Sequence, residues 1–220
     1  MKKKDLKKLI KNLPEIPGIM NKQRFFNSAV LVALVELNGE YNFLFEKRSA
    51  HIRQGGEICF PGGEHNPGED SSLKFTAIRE TSEELGISKN KIVILGELDT
   101  FVGPMGVIVA PFLGIIKIDN LNKLKTDNKE VEKVFILPVS YFEENNPEVY
   151  KVNFRVEPSF KDTAGREFKS LPAEQLGIPA RYSNPGRNYS YEMIFWRSSY
   201  GTIWGITAEI ISHVINLPDK

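Results

Sequence analysis

Arg79-Glu80-Thr81-Ser82-Glu83-Glu84-Leu85-Gly86-Ile87 is the stretch that organises the chain, and its spacing predicts a helix closed by a glycine stop. At 3.6 residues per turn, Glu80, Glu83 and Glu84 fall at i, i+3 and i+4 and share one face. Like charges at that spacing repel, so the helix gains nothing from them by itself. A hard divalent cation such as Mg²⁺ or Mn²⁺ turns the repulsion into attraction, because it prefers carboxylate oxygens and needs neither His nor Cys. Phe75, Ile78 and Leu85 supply the apolar side expected to anchor the helix in a core.

Immediately upstream, Phe60-Pro61-Gly62-Gly63 follows a run with strand character and precedes the helix. The chain must therefore turn tightly where its backbone can approach a ligand closely, leaving the Gly62 carbonyl near the acidic face. Arg79 stands four residues before Glu83, within reach for its fixed fork to hold that carboxylate. Further back, Arg48 and Arg53 lie five apart in a glycine-rich segment and are candidate phosphate clamps.

The order of these parts, Gly-Gly, an acidic turn, then Arg-Glu-x-x-Glu-Glu-x-Gly, resembles the signature of the Nudix hydrolases. The resemblance implies a metal-dependent enzyme that cuts a diphosphate joining a nucleoside to another group. It implies an α/β (α+β) fold, an α/β/α sandwich with a central mixed β-sheet. The turn is longer than the family's usual one, and either Glu69 or Asp70 fills its acidic position. Thr81 stands where the family places an apolar residue.

Arg48-Ser49 through Arg53, followed by Gly56 and Phe60-Pro61-Gly62-Gly63, is similar to the motif of the coenzyme A pyrophosphatase branch, with one residue fewer before Phe60. Val134-Phe135-x-x-Pro138-x-Ser140 and Ile203-Trp204-Gly205-x-Thr207-Ala208 also look like that branch. On this likeness, Glu80, Glu84, Glu83 and the Gly62 carbonyl are metal ligands, with Glu83 a ligand or a base. Arg79 supports them, while Arg48, Arg53 and Gly63 meet substrate. Some family members draw their base from a distant loop, and Glu130 and Glu132 are the loop candidates here.

Composition agrees with a soluble protein: 220 residues, 41% hydrophobic, 26% charged and a net charge of +1. That balance calls for neither nucleic acid nor an anionic membrane. A lone cysteine, Cys59, excludes an internal disulfide and a thiolate metal site, and reads as a buried small hydrophobe. The lysine-rich start has no signal-peptide pattern, and Leu6, Leu9, Ile10 and Leu13 make a short amphipathic helix expected to dock onto the domain. A cytoplasmic protein is expected.

In the remainder of the chain, strands are expected over 24–37, 41–47, 91–101, 106–118 and 191–196, with Asn38-Gly39 as a hairpin turn. A last helix is read from Thr202 onward, with a stripe at 203, 206, 210, 211 and 214. The organisation is one domain, 1–220, with an N-terminal helical extension over 1–17 and an excursion over 145–190 that faces substrate or makes a homodimer contact. Coenzyme A or an acyl derivative is the expected substrate. ADP-ribose, NADH or another nucleoside diphosphate derivative is the alternative, and a non-catalytic nucleotide-sensing module the second.

Overall fold

A computed structural model of the chain describes residues 3–218, apart from 105, 185 and 187. The first two residues of the expected N-terminal extension and the last two of the chain lie outside the described residues. Two compact units are present, Met1–Pro138 and Val139–Lys220.

The first unit is built on an eight-stranded mixed sheet. Its centre is β1 (Phe26–Leu37), which runs parallel to β7 (Val107–Ile116) on one side. On the other side, β1 pairs antiparallel with β2 (Glu40–Arg48) at its end and with β4 (Gly62–Glu64) near its start. The near-continuous apolar run of β1 reflects a strand buried on both faces. Asn38 and Gly39 both have positive φ, 55° and 80°, the type I′ geometry whose twist suits a two-residue hairpin. β3 (Ile58–Cys59) and β8 (Val131–Pro138) flank β2, while β5 (Ile92–Glu97) and β6 (Phe101–Gly103) pair with β7. The single run expected over 91–101 is thus two short strands.

Helix α2 (Leu73–Glu84) packs on β1, β4 and β7. The Ser72 hydroxyl caps its first turn by accepting from the Phe75 N–H at 3.2 Å. Its last turn ends at Gly86, with φ of 60°, and Ile87 N–H returns to Ser82 O at 3.1 Å. The face laid on the sheet carries Thr76, Ala77, Thr81 and Glu84. Leu85 enters the core and Ile78 packs against it, whereas Phe75 lies half-buried under the Lys89 ammonium. Of the three acids only Glu84 lies on the face laid against the sheet, while Glu83 is exposed and Glu80 is between them, a division the apolar pattern alone did not suggest. The N-terminal helix, α1 (Lys3–Lys11), buries none of its residues, so the docking expected from its apolar stripe is not found.

In the second unit, β12 (Asn188–Ser198) pairs with β9 (Glu148–Arg155) and β13 (Gly201–Trp204), all antiparallel. The stretch read as an excursion thus supplies β9. It also holds the hairpin of β10 (Ser159–Lys161) and β11 (Glu167–Lys169). Phe142, on the short helix α3 (Val139–Glu144), meets Trp196 edge-on at 5.5 Å. The last helix, α4 (Gly205–Ile215), begins later than expected, because Thr202, Ile203 and Trp204 are strand. These β-branched and aromatic residues find cross-strand partners in Arg197, Trp196 and Phe195, and Gly205, at φ of 62°, makes the bend into the helix. The face that α4 buries is Thr207, Ala208, Ile210 and Ile211, so only part of the expected stripe is inside.

Candidate active site

The Gly62-Gly63 bend is held against β1 by its register. Leu31 N–H reaches Pro61 O at 2.8 Å and His65 N–H reaches Asn27 O at 2.9 Å, so the ladder bonds fall on alternate residues. Gly62 lies between them, and its own N–H and carbonyl point away from β1. The N–H donates to Glu84 Oε2 at 2.9 Å.

Neither glycine can be replaced freely. A Cβ on Gly62, where φ is 155°, would stand 2.6 Å from Val30 Cα, and one on Gly63 would stand 2.6 Å from Glu80 Oε1. The second distance says that the Glu80 carboxyl rests directly on the bend.

Arg79 ties three acids together. Its Nε and Nη2 donate to the two oxygens of Asp70 at 2.8 and 3.0 Å, its Nη2 lies 2.9 Å from Glu80 Oε1, and its Nη1 donates to Glu83 Oε2 at 3.1 Å. The structure thereby decides between the two acids of the turn: Asp70 is buried and paired, and Glu69 is exposed. Asp70 also accepts from the Thr76 hydroxyl at 2.9 Å and from the Asn66 N–H at 3.0 Å. The Arg79 guanidinium holds the Asp70 carboxyl far below the usual carboxylate range. Thr81, in its unexpected position, is buried and satisfied, because its hydroxyl donates to Ala77 O at 2.7 Å.

The helix acids differ in depth. Glu84 is 3% exposed and the Glu83 side chain 59%, with Glu80 between them. Burial pushes the Glu80 carboxyl up. Burial, followed by the charge of a neighbouring acid, Glu46, pushes Glu84 well up.

Glu46 was not singled out from the sequence. It sits on β2 with no exposed surface, and burial pushes it up to about 7. Cys59 Sγ is 3.5 Å from its Oε1 and Arg48 Nη1 is 3.9 Å from the same atom. Its Oε2 has no hydrogen-bond partner among the described residues. The one signal available beforehand was an acid directly after Phe43-Leu44-Phe45, in a strand whose neighbours are apolar. Cys59, expected to be a plain hydrophobe, instead makes a polar contact with this acid.

The two arginines expected to act together part company. Arg48 turns toward the acids and its Nε donates to the Arg53 carbonyl at 3.3 Å, while the exposed Arg53 side chain lies over the Phe26 ring at 5.4 Å. Of the loop acids, Glu130 is close enough for its charge to act on both Glu46 and Glu80. Glu132 is occupied by Lys47 at 2.6 Å.

No three His, Cys, Asp or Glu residues among those described already converge in ligating geometry, since Glu80 and Glu83 are turned onto Arg79 and Glu84 onto Gly62 N–H. The donor set nonetheless fits a hard cation. It is made of oxygens, and beside its buried member, Glu84, lies a second buried carboxyl, Glu46, with one unpartnered oxygen.

Comparison with known proteins bears on this arrangement. "Nudix hydrolase 3" of Caenorhabditis elegans is 36% identical over 146 residues, 62% of this chain and 60% of that protein. Peroxisomal coenzyme A diphosphatase NUDT7 of Mus musculus is 33% identical over 123 residues, 56% of this chain and 50% of that one. A crystal structure of a C. elegans Ap4A hydrolase binary complex is 25% identical, covers 51% of this chain and 80% of that chain, and superposes with a TM-score of 0.42. The chain thus spans between half and three-fifths of the two full-length relatives. The NUDIX domain profile matches residues 26–153, more than half of the chain and all of the acids, glycines and arginines just described. With mixed sheet, glycine bend and acidic helix in that span, the chain belongs to the NUDIX domain family.

Proposed function

We propose that the protein hydrolyses the diphosphate linkage of coenzyme A or an acyl-coenzyme A, with Mg²⁺ or Mn²⁺. The products are adenosine 3′,5′-bisphosphate and the (acyl-)4′-phosphopantetheine half. Family membership supports a diphosphate as substrate class, and the likeness to a protein named coenzyme A diphosphatase supports the finer choice. The observation that carries the reading is Glu84, a deeply buried carboxyl fastened to the Gly62 N–H with Glu80 resting on Gly63.

Glu80, Glu84 and the Gly62 carbonyl would hold the cation, and Glu83 serves as a further ligand or as the base. The chemistry that a bound divalent cation supplies is to offset diphosphate charge and make water more acidic. Arg79 orients Glu80 and Glu83 while Asp70 fixes Arg79. Arg48, which approaches Glu46, would meet a phosphate oxygen, and Gly63 would give the substrate close access to the backbone.

Arg53 over Phe26 favours a second reading, in which the same chemistry serves ADP-ribose, NADH or another nucleoside diphosphate derivative. A product-release panel of coenzyme A, acetyl-coenzyme A, ADP-ribose and NADH, run with Mn²⁺, separates the two. Coenzyme A should be turned over far faster than ADP-ribose, with Arg53→Ala losing coenzyme A selectively and Glu84→Gln losing every activity. Equal turnover of ADP-ribose, untouched by Arg53→Ala, overturns the choice of coenzyme A. No metal-dependent turnover of any compound leaves a nucleotide-sensing module.

No described helix is long and apolar enough to cross a membrane, and we place the protein in the cytoplasm. Fractionation finding it elsewhere would correct that. We take the 220 residues as one domain, with 145–190 an excursion from it, and a homodimer as its assembly; sedimentation of the full chain tests the dimer.

A further inference from the structure

We propose that Glu46 is a ligand of the divalent-cation site, reaching it from the sheet rather than from the acidic helix. The proposal rests on the reading that the α2 acids hold such a cation, and it extends the donor set to a second element.

Strand alternation places Glu46. Phe43 and Phe45 point to one face of β2, where they pack with Phe60 and Phe135. Leu44, Glu46 and Arg48 point to the other. Leu44 shares a core cluster with Leu85 of the helix end, and two residues on, Glu46 lies beside Glu84. Strand and helix thus meet first apolar to apolar and then acid to acid.

The second meeting sets two buried carboxyls face to face, and they repel unless a proton or a cation lies between them. Breaking water away from a carboxyl costs several kcal/mol, and an apolar residue of similar volume would fill the site without that penalty. The groups facing Glu46 are Arg48 from its own strand, Cys59 from β3, Glu84 from α2 and Glu130 from the turn before β8. The thiol and the arginine both address Oε1. Oε2 is left bare, in a residue with no exposed surface. An oxygen in that condition beside a second buried carboxyl is suited to a cation that prefers oxygen and takes about six of them.

The test measures Mn²⁺ binding in the absence of substrate, by calorimetry and by the loss of free-Mn²⁺ electron paramagnetic resonance signal. Wild type, Glu46→Gln, Glu46→Asp and Glu84→Gln are compared as full chains. Glu46→Gln keeps shape and one oxygen but loses the charge, and its Mn²⁺ affinity should fall by at least tenfold, the order seen when a group serving a metal site is removed. Its melting temperature in EDTA should equal or exceed that of wild type, because a bare buried acid has gone, while the rise on adding Mn²⁺ should shrink.

Glu46→Asp, which keeps the charge, should bind Mn²⁺ better than Glu46→Gln. If Glu46→Gln fails to fold, the proposal stands on Glu46→Asp: a shortened carboxylate must weaken Mn²⁺ binding, and unchanged affinity overturns it. Wild-type affinity in Glu46→Gln, with Glu84→Gln impaired, also overturns it and leaves the helix site intact. If neither wild type nor Glu84→Gln binds Mn²⁺, the helix site itself is refuted and Glu46 with it.

Discussion

Replacing Asp70 by Asn is the sharpest test of how the acidic helix is organised. The wild-type carboxylate has a fully buried side chain, the arginine that clasps it is 15% exposed, and both Nε and Nη2 donate to it. Removing one partner of a buried pair typically destabilises by about 3–5 kcal/mol. Two features lower the figure here. Arg79 keeps Glu80 and Glu83, and the Asn oxygen can still accept from the Thr76 hydroxyl or the Asn66 N–H. What is lost is the charge in two hydrogen bonds, so the expected cost is about 2–3 kcal/mol.

At about 2–4 °C per kcal/mol for a chain of this size, the melting temperature should fall by roughly 4–12 °C. The pH dependence carries a sign. Because the folded carboxyl titrates below its ordinary value of 3.8, its contribution is complete above that pH and is lost as pH falls toward the folded pKa. Urea unfolding from pH 7 to pH 3 should therefore show a constant gap between wild type and Asp70→Asn down to about pH 4, then convergence. Glu69→Gln, the control in the same turn, should change nothing. A gap below about 0.5 kcal/mol at pH 7, the range of an ordinary surface substitution, would show that Glu80 and Glu83 alone hold Arg79.

Gly63→Ala should place a methyl 2.6 Å from Glu80 Oε1 and displace that carboxyl, lowering kcat at saturating Mn²⁺ by more than tenfold with little loss of stability. A variant with normal kcat would show that Glu80 has no metal role. Gly86→Ala meets both a φ of 60° and the Lys125 carbonyl carbon at 2.7 Å. It should destabilise by more than about 1 kcal/mol and speed amide exchange at Leu85 and Ile87, which thermal melting and hydrogen exchange will report.

What could be read from the residues alone was what short spacing controls. The hairpin at Asn38-Gly39, the helix closed at Gly86, and the placing of Glu80, Glu83 and Glu84 within one turn of each other all follow from backbone geometry within a turn or two. So does the Arg79–Glu83 contact, one helical turn long. Family likeness extended this to the fold but not to the positions that depend on contacts distant in sequence.

Glu69 and Asp70 are adjacent acids of the same charge, and only the path of the turn relative to Arg79 brings Asp70 inside. The strand from Thr202 to Trp204 has a helix-like stripe, and it became strand because β12 offered it partners. Glu46 is 38 residues before Glu84 in the sequence and beside it in space, since β2 and α2 are joined only through the packing of sheet against helix. Local sequence thus determined which acids the helix would carry. Tertiary packing decided their depth, which of them Arg79 would hold, and that a buried acid of the sheet would join them, because burial and charge proximity are properties of the folded neighbourhood.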